Sequence, residues 1–208
     1  MFEQLLPEYF RRTDETDDAV FYGQARLVKH IDDPACAALT SYFREMLPTD
    51  SDLLDLMSSC VSHLPKDIYY KSVTGLGMNQ IELDENPQLT SRIVHNLADN
   101  PALPFDDNSF DGCMVTVSVQ YLIHPIEVFR EIARVLKPCH PCVISFSNRC
   151  FPTKAVAIWH HLNDSDRAKI VGHYFNTSET FGPYDISDVS PNPGQTDPLV
   201  IVCAKSLT

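Results

Sequence analysis

Residues 103–138 read LPFDDNSFDGCMVTVSVQYLIHPIEVFREIARVLKP, and the order of signals within them decides the fold. The run 112–119 (GCMVTVSV) is short, apolar and rich in β-branched residues, the composition of a strand covered on both sheet faces. In 125–136 (PIEVFREIARVL), Ile126, Phe129, Ile132, Ala133 and Leu136 recur at helical spacing. Pro125 suits the first turn of that helix, and Lys137-Pro138 stops it. A second apolar run, 142–147 (CVISFS), follows at once. Strand, helix and strand in this order imply parallel neighbours joined by a right-handed crossover.

The same punctuation extends outward. Short apolar runs at 52–57 (DLLDLM), 69–75 (YYKSVTG), 93–97 (IVHNL) and 198–204 (PLVIVCA) read as further strands. Ala35, Leu39, Tyr42, Phe43 and Met46 mark a helix that starts at Asp33 as N-cap with Pro34 first inside, and Pro48 follows its end. Ala168, Val171 and Phe175 mark another over 165–175. The segment 181–198, rich in Pro, Asp and Ser, is expected to hold a strand and a long turn leading into a terminal hairpin. The expected fold is α/β: a doubly wound, mostly parallel sheet with a C-terminal antiparallel hairpin. Residues 1–32 read as an arm, and 33–208 as one domain.

Composition narrows the function. Sixteen basic against twenty-eight acidic residues give a net charge of −12, and no Lys/Arg run offsets it locally, so nucleic acid is not an expected partner. No apolar run approaches the roughly 18 residues of a membrane span, and the start of the chain lacks the basic-then-apolar pattern of an export signal. The seven scattered cysteines then read as reduced thiols of a cytoplasmic protein. Cys139-His140-Pro141-Cys142 reads as buried thiols at a turn, since no second C-x-x-C accompanies it. Trp159-His160-His161 has no carboxylate spaced to complete a metal site, and Gly75-Leu76-Gly77 meets Gln80 where a dinucleotide fingerprint needs its third glycine. Oligomeric state is not legible.

Residues 103–138 closely resemble the class I, Rossmann-like S-adenosylmethionine-dependent methyltransferases of the type 11 kind, with degenerate cofactor motifs. The resemblance rests on Leu103, Pro104, Phe105, Asn108, Phe110 and Asp111 before the fourth strand, on Tyr121 and Leu122 after it, and on Arg130, Glu131, Arg134, Val135, Leu136, Lys137 and Pro138 along the helix. It implies S-adenosylmethionine as cofactor and a small molecule as methyl acceptor. In such a sheet, ligands sit beyond the carboxyl ends of the strands, here loops 57–64, 76–82, 96–106, 118–124 and 147–153. By position, the resemblance assigns the cofactor to Asp55, Leu56, Met57, Ser58, Ser59, Gly77, Asn79, Asn96, Leu97 and Val117, with Tyr22 of the arm closing over it. Gln120, Tyr121 and His124 after the fourth strand, and Asn148 and Arg149 after the fifth, are the acceptor-facing candidates.

Four departures from the family pattern are visible. The loop after the first strand keeps the acid, Asp55, but has no glycine. Its Ser58, Ser59 and Ser62 are expected to donate to the cofactor carboxylate beside the N-terminus of a following helix. Gly77 occupies the place of the ribose-binding acid, with Asn79 as a neutral substitute nearby. Asn96 replaces the adenine-contacting Asp, and Cys139-His140 replaces a Gly-Gly pair before the fifth strand. These departures leave a second reading open: a domain of the same fold that has lost catalysis and serves as a binding or regulatory module, its crevice filled by side chains such as those of Met57, Cys60 or Met78.

Overall fold

The computed structural model describes residues 5–207. In chain order its elements are a 3-10 turn Pro7–Phe10, α1 (Asp18–Tyr22), α2 (Asp33–Met46), β1 (Asp52–Leu56), β2 (Ser72–Gly77), α3 (Gln80–Asp84), β3 (Ser91–Val94), β4 (Gly112–Thr116), a 3-10 turn Val119–Tyr121, α4 (Pro125–Val135), β5 (Pro141–Phe146), α5 (Ala157–His160), α6 (Asp164–Ser178), β6 (Asp185–Asp188) and β7 (Val200–Lys205). The strands form one sheet in the order β3-β2-β1-β4-β5-β7-β6. β1 pairs with β2 and β4, β2 with β3, and β4 with β5, all in parallel, whereas β7 runs antiparallel to both β5 and β6. The expected doubly wound sheet and terminal hairpin are both present.

Period-two alternation divides the strand side chains between two cores. Leu54, Leu56, Cys113, Val115, Cys142, Ile144 and Val202 pack with α4 and α6. Leu53, Val73, Met114, Val143 and Ile201 pack with Ala35, Leu39 and Phe43 of α2. Asp55, between Leu54 and Leu56, is thereby turned to the α2 side.

Local chemistry shifts some expected boundaries. Asp32, not Asp33, caps α2: its carboxylate accepts from Ala35 N at 2.9 Å and from Asp197 N at 2.8 Å, so one residue ends the arm and holds the approach to β7. Asp33 instead pairs with Lys29. β2 begins at Ser72, three residues after the expected start, and β3 spans 91–94 in place of 93–97. Cys139 adopts φ 65°, so a non-glycine holds the left-handed turn where the family has glycine. Cys139 is exposed and only Cys142 of that pair is buried, which corrects the reading of both as buried thiols; all seven cysteines are free.

The larger departure lies between β1 and β2. Among the described residues, no helix spans 57–71. The helix N-terminus expected to follow the serine-rich turn is therefore absent. This segment holds its shape through side-chain bonds to the interior, which also build the site.

Among the described residues, no helix is long and apolar enough to cross a membrane.

Candidate functional site

Strand order reverses between β1 and β4, where two neighbouring strands send their crossovers in opposite directions and leave a crevice. A cavity of about 560 Å³ opens there, at the carboxyl ends of β1, β2, β3 and β4, within the size range of small-molecule and cofactor sites. The first residue after β1, Met57, and the first after β4, Val117, both sit in the left-handed region, at φ 58° and 51°. For β-branched Val117 this is a strained conformation, and such strain costs about 1–3 kcal/mol per residue. Backbone bonds over-determine it: Val117 N donates to Ser145 O at 2.9 Å, and Val117 O accepts from Gln120 Nε2 at 2.8 Å. The two turns bend the chain away from the strand tips and keep the crevice open.

Inside the β1 loop, Asp55 organises the chain. Its Oδ2 accepts from Ser58 Oγ at 2.7 Å and from Ser62 Oγ at 2.6 Å, and Ser62 Oγ in turn accepts from Asn86 Nδ2 at 2.9 Å. Burial outweighs these two bonds and pushes the Asp55 carboxyl up to about 6. Ser59 Oγ donates to Glu82 Oε2 at 2.7 Å. All three serine hydroxyls thus serve internal carboxylates, which corrects their expected role as donors to a cofactor. A carboxylate in a low-dielectric pocket attracts nearby hydroxyls more strongly than a site open to water does.

Packing explains why Gly77 replaces an acid. A Cβ on Gly77 would lie 2.3 Å from the carbonyl oxygen of Ser58, so the β1 loop passes where a side chain would have to be. Asn79 does not substitute for the acid. Its Oδ1 accepts from Ile81 N and Glu82 N as the cap of α3, and its Nδ2 donates to Tyr22 O and Gly23 O at 2.7 and 3.2 Å. Asn96 lines the cavity with Oδ1 accepting from Ala98 N and Nδ2 donating to Asp99.

The N-terminal segment forms the roof. Asn79 ties Tyr22 and Gly23 down, and Arg26 N donates to Glu82 Oε1 at 2.7 Å. Behind the roof, the fully buried Lys154 donates to Thr16 O at 2.7 Å and pairs with Asp18 at 3.0 Å, while Arg12 pairs with the same Asp18 at 2.7 Å. Phe21, Tyr22, His30, Tyr121 and Phe151 meet in one aromatic cluster, with Tyr121 stacked on Phe151 at 5.8 Å. Tyr121 Oη accepts from Phe151 N at 2.8 Å, and burial raises its phenol to about 12. Burial also raises Tyr22, with Tyr121 and Asp18 adding to the shift.

Of the residues assigned to the cofactor from sequence, Tyr22, Asp55, Met57, Ser58, Ser59, Gly77, Asn79, Asn96, Leu97 and Val117 line the cavity, as do Tyr121, Asn148 and Arg149. Three assignments fail. Leu56 is fully buried in the core on the α4 face, because alternation turns it away from Asp55. Gln120 is fully buried and clamps Val117 instead of facing an acceptor. His124 is exposed at the start of α4 and is not among the lining residues, although Ile123 before it is. Met57 and Met78 form walls and do not plug the space, and Cys60 Sγ faces the roof carbonyls of Arg26 and Val28.

Sequence reasoning missed Arg26, His30, His63 and Glu82, all cavity-lining. His63 is 8% exposed, and burial drops its imidazole to about 4, helped by Lys29 and His30. Burial also lowers His30, against the pull of Glu82. Both rings are therefore neutral at pH 7. The only signal available was their place: His63 falls in the loop after the first strand, and Glu82 stands just past the glycine at the end of the second. Two buried hydroxyls on the β4 side, Thr116 Oγ1 and Ser118 Oγ, also line the cavity and have no hydrogen-bond partner among the described residues.

The profile of a family described as a methyltransferase domain matches residues 58–143. The biotin biosynthesis bifunctional protein of Teredinibacter turnerae is 42% identical over 50 residues, which are 24% of this chain and 9% of that relative's length. Among solved structures, a Haloferax volcanii protein described as a putative methyltransferase, in complex with a methyltransferase activator, superposes with TM-score 0.62 at 15% identity over 85% of this chain and 91% of its own. The cyclase SpnF gives 0.61 at 16% identity over 82% and 81%. Haemonchus contortus phosphoethanolamine N-methyltransferase 2, solved with S-adenosyl-L-methionine, gives 0.57 at 12% identity over 83% of this chain and 52% of its own. The fold is the Rossmann-like methyltransferase fold. A cyclase among the neighbours illustrates that this scaffold alone does not specify the reaction.

Proposed function

We propose that the protein is an S-adenosylmethionine-dependent methyltransferase acting on a small-molecule acceptor. The observation that carries this reading is the open cavity at the β1–β4 reversal, lined in part by the residues that match the methyltransferase domain. The residues present fit the cofactor. The cavity has adequate volume, apolar walls at Leu76, Leu97 and Val117, and polar side chains at Arg26 and Asn96. An apolar wall with a few convergent polar groups is the usual make-up of such a site. Leu97 and Asn96 would hold the base.

When bound, the cofactor supplies a methyl group made electrophilic by a positively charged sulfur. The chain supplies alignment and dryness: the roof of Tyr22 and Arg26 and the Phe151 ring limit water entry. His30 and His63 are kept neutral by burial, and the same burial makes both weaker bases than a free imidazole, so an acceptor that is already a good nucleophile suits the site best. The open crevice counts against the inactive-module reading, which expected a filled one. The changed glycine and acid positions favour weak binding: two or three lost contacts of about 1 kcal/mol each weaken affinity roughly 30- to 100-fold.

Calorimetry and thermal melting with S-adenosylmethionine and S-adenosylhomocysteine test the proposal. Ligand at a hundred times its Kd stabilises by about 2.7 kcal/mol, a rise in Tm of roughly 5–11 °C for a chain of this size. No heat and no rise at millimolar ligand removes the methyltransferase reading and leaves only the scaffold.

A further inference from the structure

We infer that Arg26 is a carboxylate-binding residue of the cavity, holding the acid group of a bound ligand from the roof. The inference rests on the methyltransferase reading for the identity of the ligands, and on the geometry for the site itself.

The guanidinium of Arg26 is fixed by neutral partners only. It lies 4.6 Å from the Phe21 ring centroid and 5.1 Å from that of Phe151, and it donates to Phe21 O at 3.0 Å and to Gln24 O at 3.1 Å. An arginine has five N–H donors, so three remain. Arg26 is half-buried, and among the described residues no carboxylate oxygen comes within ion-pair distance of its guanidinium, Glu82 being bonded to its backbone N instead. Its fork is thus held in place and uncompensated, on the wall of a cavity. A planar guanidinium restrained by ring faces matches a carboxylate's two oxygens at little further entropic cost.

The hydrogen-bond partners in the cavity reinforce this. The protein carries −12 overall, yet the lining acids already have hydrogen-bond partners of their own. Asp18 is shared by Arg12 and Lys154, Asp55 takes two serine hydroxyls, and Glu82 takes Ser59 Oγ and Arg26 N. The lining cations are less well partnered: Arg149, 64% exposed at the side chain, reaches only Asp197 at 3.8 Å. The β1 loop has lost the donors that would otherwise meet an acid group, because its serines point inward and no helix begins there. Arg26 supplies a donor set from the roof beside that loop.

The carboxylate has two possible sources, the amino-acid end of the cofactor and an acidic acceptor. Binding of S-adenosylhomocysteine, of 5′-methylthioadenosine (the same nucleoside without the amino acid) and of benzoate to the S-adenosylhomocysteine-loaded protein separates them. If the source is the cofactor, Arg26→Met weakens S-adenosylhomocysteine by about 10- to 100-fold and leaves methylthioadenosine unchanged. If it is the acceptor, both nucleosides bind unchanged and benzoate binding is lost. Arg26→Lys, which keeps the charge and loses the fork, should recover part of the affinity and covers the case in which the Met variant misfolds. Equal binding of all three probes by wild type and variants overturns the inference, and so does an equal loss of both nucleosides, which would make Arg26 a roof strut. Wild type that binds neither nucleoside refutes the methyltransferase reading instead, and the benzoate comparison, then made on the unloaded protein, still decides the role of Arg26.

Discussion

Asp55→Asn should make the protein more stable at pH 7, relative to wild type, than at pH 4. The carboxyl of Asp55 is fully buried with a pKa near 6, against 3.8 for the free side chain. In the unfolded chain it ionises near pH 4; in the fold it keeps its proton until about pH 6. Between those values the folded state holds more protons, so raising the pH lowers stability. A gap of about two pH units at 1.36 kcal/mol each is a loss of roughly 3 kcal/mol by pH 7. His63 works in the opposite sense. Its folded value near 4 lies below the usual 6.5, so the unfolded state binds the extra proton and stability rises with pH over the same window. In wild type the two slopes largely cancel between pH 4 and 6. Asn keeps an acceptor oxygen for Ser58 and Ser62 but carries no titrating proton. Urea unfolding of both proteins at half-unit steps from pH 4 to 7 reads the difference in slope, which is independent of any constant offset from the substitution. The variant should gain about 1 kcal/mol per pH unit relative to wild type between pH 4 and 6. Parallel curves would refute the argument that desolvation controls Asp55.

Other perturbations follow from the same contacts. Gly77→Ala places a methyl against Ser58 O and should cost about 1–3 kcal/mol, a Tm fall of roughly 2–12 °C, by differential scanning calorimetry. Gly182→Ala meets only ordinary contacts beyond 3.4 Å and should stay within about 0.5 kcal/mol, the control. Lys154→Met removes the buried lysine that pairs with Asp14 and Asp18, leaves Asp18 with Arg12 alone, and should cost about 1–3 kcal/mol in urea unfolding, with faster proteolysis between residues 14 and 18. Ser62→Ala removes one of the two hydroxyl bonds to Asp55 and should raise that carboxyl further, seen as an upward shift of its titration by NMR.

Much of the scaffold was legible before any coordinates. The apolar run through Cys113 and Val115, the one-sided helix of Phe129 and Ile132, and the Lys137-Pro138 stop are local signals whose meaning does not depend on distant residues. The approximate floor of the site is legible too, since ligands of a parallel sheet sit beyond the carboxyl ends of its strands, which singles out the loops after them; that β1 and β4 are neighbours is not. Nor is the chemistry of that floor. Ser58, Ser59 and Ser62 look like ligand donors in the chain, and only the burial of Asp55 and the position of Glu82 reveal that their hydroxyls are already engaged. Leu56 stands at the strand end and so suggests a cavity residue, although side-chain alternation sends it to the opposite face.

By itself, then, the amino-acid order determined the strands, the long helices and the loops at which to look, because periodicity and turn chemistry act over a few residues. The tertiary structure alone decided which groups face the crevice uncompensated. Arg26 and His63 are separated from the strand-tip residues they join by long stretches of chain or by an irregular loop. Their availability depends on which partners are absent around them, a property of the folded neighbourhood that no local pattern encodes.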